Sequence, residues 1–440
     1  MRRYNVPGVS IVIIHDGKIY KPLNYGYAKN KDKVTNNTMF EAGSISKVFT
    51  TLGILKLYQE SFISLNDNVN NYLKSWKIQD SKYTRYNKVT AAELMSHTGG
   101  VNVAGFAGLD RNIKPLPSTI DILNGRKPVI TTPKAEVVAT PGKQFSYSGG
   151  GMTILQLLIE DMTNESYAQW MSTNLFNPLQ MAQSSFEQPL PDVYVNFAAC
   201  GHDEKGIELK ACWHNYPELG AAGLWTTSSD LSKLLLALIE AYYHQPNNLP
   251  LKDKVSSQIF IEHENYGVGF GIGIQTESNL VKLNHNGSVD GYKSSMTAFV
   301  SKVGDKTELK DGIVILTNGE NGWNLYSEVL ASFTDTFKIA TNQAIYIKPI
   351  KLINQQKYTG KYQLLSNIDN WSFNIINQNK ELYCDYGHGL NAKLYFINSN
   401  EAYTLDGSYF RFTINIKTGK INQLEIQQYQ DKSISKYKHS

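Results

Sequence analysis

Phe40-Glu41-Ala42-Gly43-Ser44-Ile45-Ser46-Lys47 leads into apolar residues at Val48, Phe49, Leu52, Leu55 and Tyr58, with Ile54 and Leu57 on other faces. This spacing predicts a helix from Ser44 to about Glu60. Apolar side chains nearly all round it predict a buried one. Ser44 and Lys47 stand three apart, so they share one helix face. A hydroxyl at a helix N-terminus lies among unpaired backbone N–H groups at the positive end of the dipole, a setting that suits a developing oxyanion. A nearby lysine takes the serine proton only when neutral. Moving its pKa from ~10.4 to ~7 costs about 4–5 kcal/mol, which burial can supply. Taken alone, these residues also fit an N-cap serine beside a surface lysine.

Outward from that helix, the pattern is strands at both ends of a long first segment and helices between. Pro7-Gly8 opens a strand, Val9 to Ile14; Asp16-Gly17 makes a turn, and a second strand ends near Gly26-Tyr27. Asn66 to Leu73, Ala91 to Ser96, Met152 to Thr163, Tyr167 to Leu175 and Ser228 to Tyr243 carry helical spacing. Residues 102–140, rich in Pro, Gly and Asn, predict an irregular insertion. Strands are expected at Gly267 to Ile274, Val281 to Asn284, Ser295 to Val300 and Gly312 to Thr317, then a helix from Trp323 to Phe337. The late strands would complete the sheet begun at the N-terminus, giving one α/β layered domain over residues 1–345. Lys348-Pro349 marks a boundary. Residues 350–440 alternate in short segments such as Trp371 to Ile376, Leu382 to Asp385, Lys393 to Ile397, Tyr409 to Ile416 and Leu424 to Gln428, with turns at Asp406-Gly407 and Thr418-Gly419. They predict a small antiparallel β module, a barrel or sandwich.

Composition removes several functions. Of 440 residues, 41% are hydrophobic and 19% charged, which is ordinary for a folded protein. The net charge of +4 is small and unclustered, and the 43 basic residues include only 6 Arg. Arg is the preferred bidentate phosphate reader, so nucleic acid is not an expected partner. No apolar run approaches the ~20 residues of a membrane span. Three Cys exclude a disulfide scaffold. Cys200 and Cys212 flank an expected hairpin, His202 to Ile207, and could bridge in an oxidising compartment; two unpaired thiols are the expected state. Motifs for a nucleophile elbow, a P-loop, a CxxC pair or an HExxH zinc site are absent.

Two further stretches stand out. In Phe145-Ser146-Tyr147-Ser148-Gly149-Gly150, a tyrosine precedes an apolar helix, where it can act as a general base or relay. In His285-Asn286-Gly287-Ser288, a histidine sits between strand segments beside a glycine that permits close backbone approach. Each alone has an ordinary structural reading: a half-buried Tyr in a turn, a satisfied hairpin His.

In this order, the three stretches resemble the serine β-lactamase and penicillin-binding protein superfamily, which carries S-x-x-K, Y-x-N and K-T-G. The similarity is to its class C β-lactamase, D-aminopeptidase and esterase branch and spans most of residues 5–345. Supporting segments are Val6-Pro7-Gly8-Val9-Ser10, Leu94-Met95-Ser96-His97-Thr98-Gly99-Gly100, Asn177-Pro178-Leu179 with Met181, and Ala222-Gly223-Leu224-Trp225-Thr226-Thr227-Ser228-Ser229-Asp230-Leu231. The resemblance implies an antiparallel sheet flanked by helices with a helical region inserted, and a lipocalin-like barrel over residues 350–440. It implies an acyl-enzyme serine hydrolase acting on esters, D-amino-acid peptides or amides, or weakly on β-lactams. Ser44 would be the nucleophile, Lys47 and Tyr147 the base system and His285 the third motif. The backbone N–H groups of Ser44 and Ser288 would form the oxyanion hole, with Gly149, Asn286 and Gly287 on the substrate side. His97 and Trp225 are expected to be structural. No metal or organic cofactor is implied; the partner is a small-molecule or peptide substrate.

Two departures bear on substrate. Y-x-N reads Tyr147-Ser148-Gly149, without the Asn amide, and K-T-G reads His285-Asn286-Gly287. A permanent cation is thereby exchanged for a group with an ordinary pKa near 6.5, which predicts activity changing through about pH 6–7.5 and a poorer partner for a β-lactam carboxylate. They also keep open a catalytically inactive binding or scaffold protein. Lys417-Thr418-Gly419 spells K-T-G literally but falls between strands of the β module and is expected to be a hairpin turn. By resemblance the protein is expected to be periplasmic or exported. The sequence from Met1 has no signal peptide, which leaves a cytoplasmic site open and suggests a shortened start.

Overall fold

The computed structural model describes residues 1–264, 266–305, 307–339, 349–365, 372–385, 391–404, 408–415, 417–427 and 434–439. The chain divides into two compact units, Met1–Trp323 and Asn324–Ser440.

In the first unit, β1 (Gly8–His15), β2 (Lys18–Ile19), β3 (Leu23–Lys29) and β4 (Asp32–Lys33) join β5 (Gly273–Glu277), β6 (Leu280–Val289), β7 (Tyr292–Ser301) and β8 (Lys310–Thr317) in one antiparallel sheet. Its order is β4-β3-β1-β8-β7-β6-β5, with β2 paired to β1. The N-terminal and late strands meet where β1 runs against β8, Val9 opposite Thr317 and Ile14 opposite Gly312. β7 is buried along its whole length and β1 along most of it, as expected of central strands covered on both faces. β3 alternates exposed with half-buried residues, the mark of a strand near an edge.

Five helices position the site: α1 (Ser46–Gln59), α2 (Ala91–Met95), α3 (Gly149–Thr163), α4 (Leu219–Ala222) and α5 (Ser228–Tyr242). α5 packs on β1, β7 and β8, and α1, α3 and α4 pack on one another. The apolar residues around α1 are buried from Val48 to Leu57, Lys56 excepted among the long side chains. A further helix, α6, spans Gly322–Thr336.

In the second unit, β9 (Gly360–Leu364), β10 (Ser372–Gln378), β11 (Glu381–Asp385), β12 (Asn391–Lys393), β13 (Tyr395–Phe396), β14 (Glu401–Tyr403), β15 (Tyr409–Ile414), β16 (Ile421–Gln427) and β17 (Ile434–His439) form a nine-stranded antiparallel sheet. Its order is β12-β11-β10-β9-β17-β16-β15-β14-β13. The two end strands are separated in sequence by Leu394 alone, so the sheet curls into a nearly closed barrel. Alternate residues such as Phe373, Ile375, Phe410, Phe412, Leu424 and Ile426 fill its core.

Four expectations change. Residues 267–272 form a loop, and the strand starts at Gly273. Positive φ at Gly267 and Gly271 breaks the extension, and a Cβ at Gly269 would strike the Ile259 carbonyl. Asn66 to Leu73 is reduced to one 3-10 turn, Val69–Asn71, started by the Asn68 side chain. The Tyr167 helix ends at Met171 and widens into a π turn over Ser172–Phe176. Cys200 and Cys212 are joined in a disulfide rather than left as free thiols. The hairpin between them, with His202 paired to Glu208, brings their Cα atoms to 4.4 Å.

Lys417-Thr418-Gly419 is the β15–β16 turn: Asn415 Oδ1 accepts from the Lys417 and Thr418 N–H groups, and Gly419 has φ +67°. The Asp406-Gly407 turn and Lys348 lie outside the described residues. No helix among the described residues is long and apolar enough to cross a membrane.

Candidate active site

Ser44 stands in the turn before α1, fixed from two sides. On one, Phe40–Glu41 pairs with Trp225–Thr226, Ala42 N–H donates to the Leu224 carbonyl, and Ser46 Oγ links the Gly43 carbonyl to Leu224 N–H. On the other lies β6. A Cβ on Gly43, whose φ is +52°, would come within 2.9 Å of the Ser288 nitrogen. A Cβ on Gly287 would run into the Ala42 carbonyl, which also accepts from Ser294 Oγ. The close approach at Gly287 is therefore made by the chain's own Ala42. Gly43 and Gly287 together let the Ser44 turn lie against β6, which sets the Ser288 backbone beside it.

Lys47, one turn into α1, is 2% exposed. Its Nζ donates to Ser44 Oγ at 3.0 Å and to the Ala221 carbonyl of α4 at 2.8 Å. Among the described residues no carboxylate forms an ion pair with it. Nζ also lies 5.0 Å from the centre of the Tyr147 ring, within cation–π range. The long-range packing of α4 on α1 thus supplies a lysine contact that local spacing could not reveal.

Tyr147, 36% exposed, lies just before α3, whose N-cap is Ser148. Its ring sits 4.5 Å from the His97 ring and 6.5 Å from that of His285. The structure records no hydrogen bond from the Tyr147 hydroxyl to the described residues; the contacts of Tyr147 are made by its ring, with Lys47 and the two imidazoles. His285 Nδ1 lies 2.8 Å from the Asn286 carbonyl, which only accepts, so Nδ1 carries the proton and Nε2 is the acceptor. Burial, and then the Lys47 charge, push the His285 pKa down to about 4. The expected titration near pH 6–7.5 is therefore displaced toward acid.

The structure brings Ser44, Lys47, Tyr147, His285 and the Ser288 backbone together. The other expected positions are less open. Gly149 is buried at the start of α3; its N–H donates to the Ala104 carbonyl, and a Cβ there would meet Phe106 Cε2 at 2.8 Å. An insertion residue thus occupies the space beside the missing Asn. Asn286 Oδ1 is buried without a hydrogen-bond partner among the described residues.

Three residues were not assigned to the site from sequence. His97, expected to be structural, is 5% exposed and packs against Tyr147 with the two rings tilted by 42°. Burial first, then Lys47 and His285, hold its pKa well below the ordinary value, so the ring is neutral. Glu41 is buried with neither carboxyl oxygen partnered among the described residues, and burial, with Asp290 second, pushes its pKa well up. Burial pushes Glu218, immediately before α4, up to about 7.

The Beta-lactamase family model matches residues 1–325. This chain belongs to that family. Among curated relatives, "Protein flp" of Staphylococcus aureus (strain MRSA252) is 26% identical over 375 residues, covering 81% of this chain and 67% of the relative. "Teichoic acid D-alanine hydrolase" of Staphylococcus aureus is 25% identical over 263 residues, 59% of this chain and 61% of the relative. The octameric penicillin-binding protein homologue from Pyrococcus abyssi has a TM-score of 0.66 at 21% identity, covering 100% of this chain and 97% of its own. Its likeness of fold runs through the C-terminal barrel as well. The three stretches expected to carry the family's motifs, at Ser44 and Lys47, at Tyr147 and at His285, all fall within the matched residues.

Proposed function

We propose that this protein is a serine hydrolase that works through a covalent acyl-enzyme, with D-alanyl esters and related D-amino-acid amides as its preferred substrates. The observation that carries the reading is the buried Lys47 Nζ at 3.0 Å from Ser44 Oγ. Ser44 Oγ attacks the substrate carbonyl as its proton passes to the Lys47–Tyr147 base system. The Ser44 and Ser288 N–H groups hold the oxyanion; one such donor contributes ~3–4 kcal/mol in other acyl-transfer enzymes. Collapse of the tetrahedral intermediate expels the alcohol or amine, which takes up the proton, and leaves the acyl group on Ser44. Water, activated by the same bases, then releases the acid.

Two observations support the substrate class. A relative named as a D-alanine hydrolase of teichoic acid matches more than half of this chain. The third motif holds His285, neutral at ordinary pH, so no fixed cation there would meet a β-lactam carboxylate. The Cys200–Cys212 disulfide supports an oxidising, exported location. A panel of a D-alanyl ester, a D-alanine amide and nitrocefin, run with wild type and Ser44→Ala, tests the reading. Ser44-dependent turnover ranked ester, amide, then β-lactam is expected. Turnover unchanged in Ser44→Ala would overturn the mechanism, and preference for nitrocefin would overturn the substrate class.

A further inference from the structure

His97 follows α2, in a turn held by Thr98 N–H and Gly99 N–H, both donating to the Glu93 carbonyl. Its own backbone is left-handed, φ +58°, a conformation that Asn, Asp and His adopt more readily than other residues with side chains. The turn aims both the carbonyl and the ring of His97 at the segment Phe145–Ser148. Ser146 N–H donates to the His97 carbonyl at 2.8 Å. Ser148 N–H donates to His97 Nδ1 at 3.2 Å. These bonds bracket Tyr147, one residue to either side, while the imidazole packs on its ring at 4.5 Å. Ser148 in turn caps α3, its Oγ accepting from Gly151 N–H at 2.9 Å and donating to the Asn102 carbonyl at 3.0 Å.

We infer that His97 is a positioning residue for Tyr147, clamping the backbone on both sides of the tyrosine through its carbonyl and its Nδ1 acceptor. The inference rests on the proposed catalytic set and adds to it a residue that touches neither Ser44 nor substrate. The clamp requires a neutral ring, because a protonated imidazole donates at Nδ1 and loses the Ser148 N–H. Burial, Lys47 and His285 all oppose that protonation. The left-handed backbone itself is set by the end of α2, where His97 N–H donates to the Leu94 carbonyl and Thr98 N–H to the Glu93 carbonyl, an ordinary helix C-terminal turn. Nε2 has no partner among the described residues, so the hydrogen-bonding role of the ring rests on Nδ1.

The test uses the full chain, a nitrophenyl ester as probe substrate, and three variants. His97→Phe keeps a ring and removes the acceptor. His97→Asn keeps an acceptor near the Nδ1 position and tolerates positive φ, but removes the ring. Ser44→Ala controls for the underlying mechanism. The clamp predicts that His97→Phe lowers kcat about 10- to 100-fold, the scale of a misplaced catalytic group, with KM little changed. His97→Asn should retain most of the wild-type kcat. Wild-type kcat in a folded His97→Phe, or a loss in folded His97→Asn as large as in His97→Phe, overturns the clamp. Where His97→Phe fails to fold, a large kcat loss in folded His97→Asn still overturns it. Ester turnover surviving in Ser44→Ala overturns the catalytic set, and the clamp with it; turnover lost in Ser44→Ala isolates the His97 result.

Discussion

Lys47 Nζ bridges Ser44 Oγ at 3.0 Å and the Ala221 carbonyl at 2.8 Å, tying the first motif to a helix about 175 residues further along the chain. The Ala221 carbonyl aims the amine, so the Ser44–Lys47 contact depends on α4 staying packed against α1. The turn that carries Ser44 is likewise held through Ser46 by Leu224 on one side and through Gly43 against β6 on the other. The site is a meeting of four segments distant in sequence.

Removing the nucleophile should abolish covalent chemistry, and removing the amine should slow it. Ser44→Ala is expected to lose all labelling by an active-site serine probe. Lys47→Ala should lower the acylation rate about 10²- to 10⁴-fold, the span of positioned acid–base groups. Stopped-flow acylation with the same probe measures both. Labelling that persists in Ser44→Ala and moves to another residue would reassign the nucleophile.

His285 sets the pH behaviour. Burial and then the Lys47 charge hold its pKa down at about 4. In the unfolded chain the group titrates at 6.5, so the neutral folded form adds stability above that pH and loses it as pH falls toward 4. Between pH 6 and 7.5 the folded enzyme does not change its charge at His285. The expected kcat/KM profile is flat there as far as His285 contributes, with a fall below about pH 5. A wild-type inflection within pH 6–7.5 that disappears in His285→Gln would contradict this.

The disulfide should matter for stability more than for the chemistry. It closes a loop 12 residues long, and Tyr292 Oη and Gly201 N–H both donate to the Cys212 carbonyl. Closing such a loop stabilises by about 3 kcal/mol in the chain-entropy account. A Cys200→Ser, Cys212→Ser double variant should unfold at lower denaturant, while the ester kcat of the folded fraction is kept. An unchanged midpoint would mean that the packing of the loop, rather than the bond, holds it.

What sequence could show follows from how local each feature is. The helix α1 was legible from residue spacing, whereas Ser44 and Lys47 were singled out only by the order of all three stretches, since the pair alone also fits a capped helix start. The strands of the sheet could be read as short apolar runs bounded by turns, although the central ones, covered on both faces, do not alternate, and their antiparallel order came only with the family resemblance. In the β module, alternation along the strands made it legible. His97 was not assigned to the site because its contacts cross to residues 146–148, and nothing in Ser96-His97-Thr98 marks the left-handed turn that aims it. The disulfide was missed because its geometry depends on how tightly the 202–208 hairpin closes. At residues 267–272, four alternating glycines imitated a strand, and positive φ at two positions made a loop. Phe106 beside Gly149 could not be foreseen, since an irregular insertion has no period to read.

Glu218 offers a stability test at the foot of the same helix that carries Ala221. Its side chain is buried, Oε2 has no partner among the described residues, and burial pushes its pKa from 4.5 up to about 7. A carboxyl harder to ionise in the folded state contributes stability below its unfolded pKa of 4.5. That contribution shrinks as pH rises and is gone once the folded carboxyl has ionised above about 7. The gap corresponds to roughly 3 kcal/mol between the limits. Glu218→Gln, which resembles the protonated acid, removes this dependence. Denaturant unfolding at pH 5 and pH 8 should show wild type losing more stability than Glu218→Gln over that interval, with the two similar at pH 5. Parallel losses in both proteins would show that Glu218 ionises in the folded state as readily as in water, and that its enclosure beside α4 is looser than the structure describes.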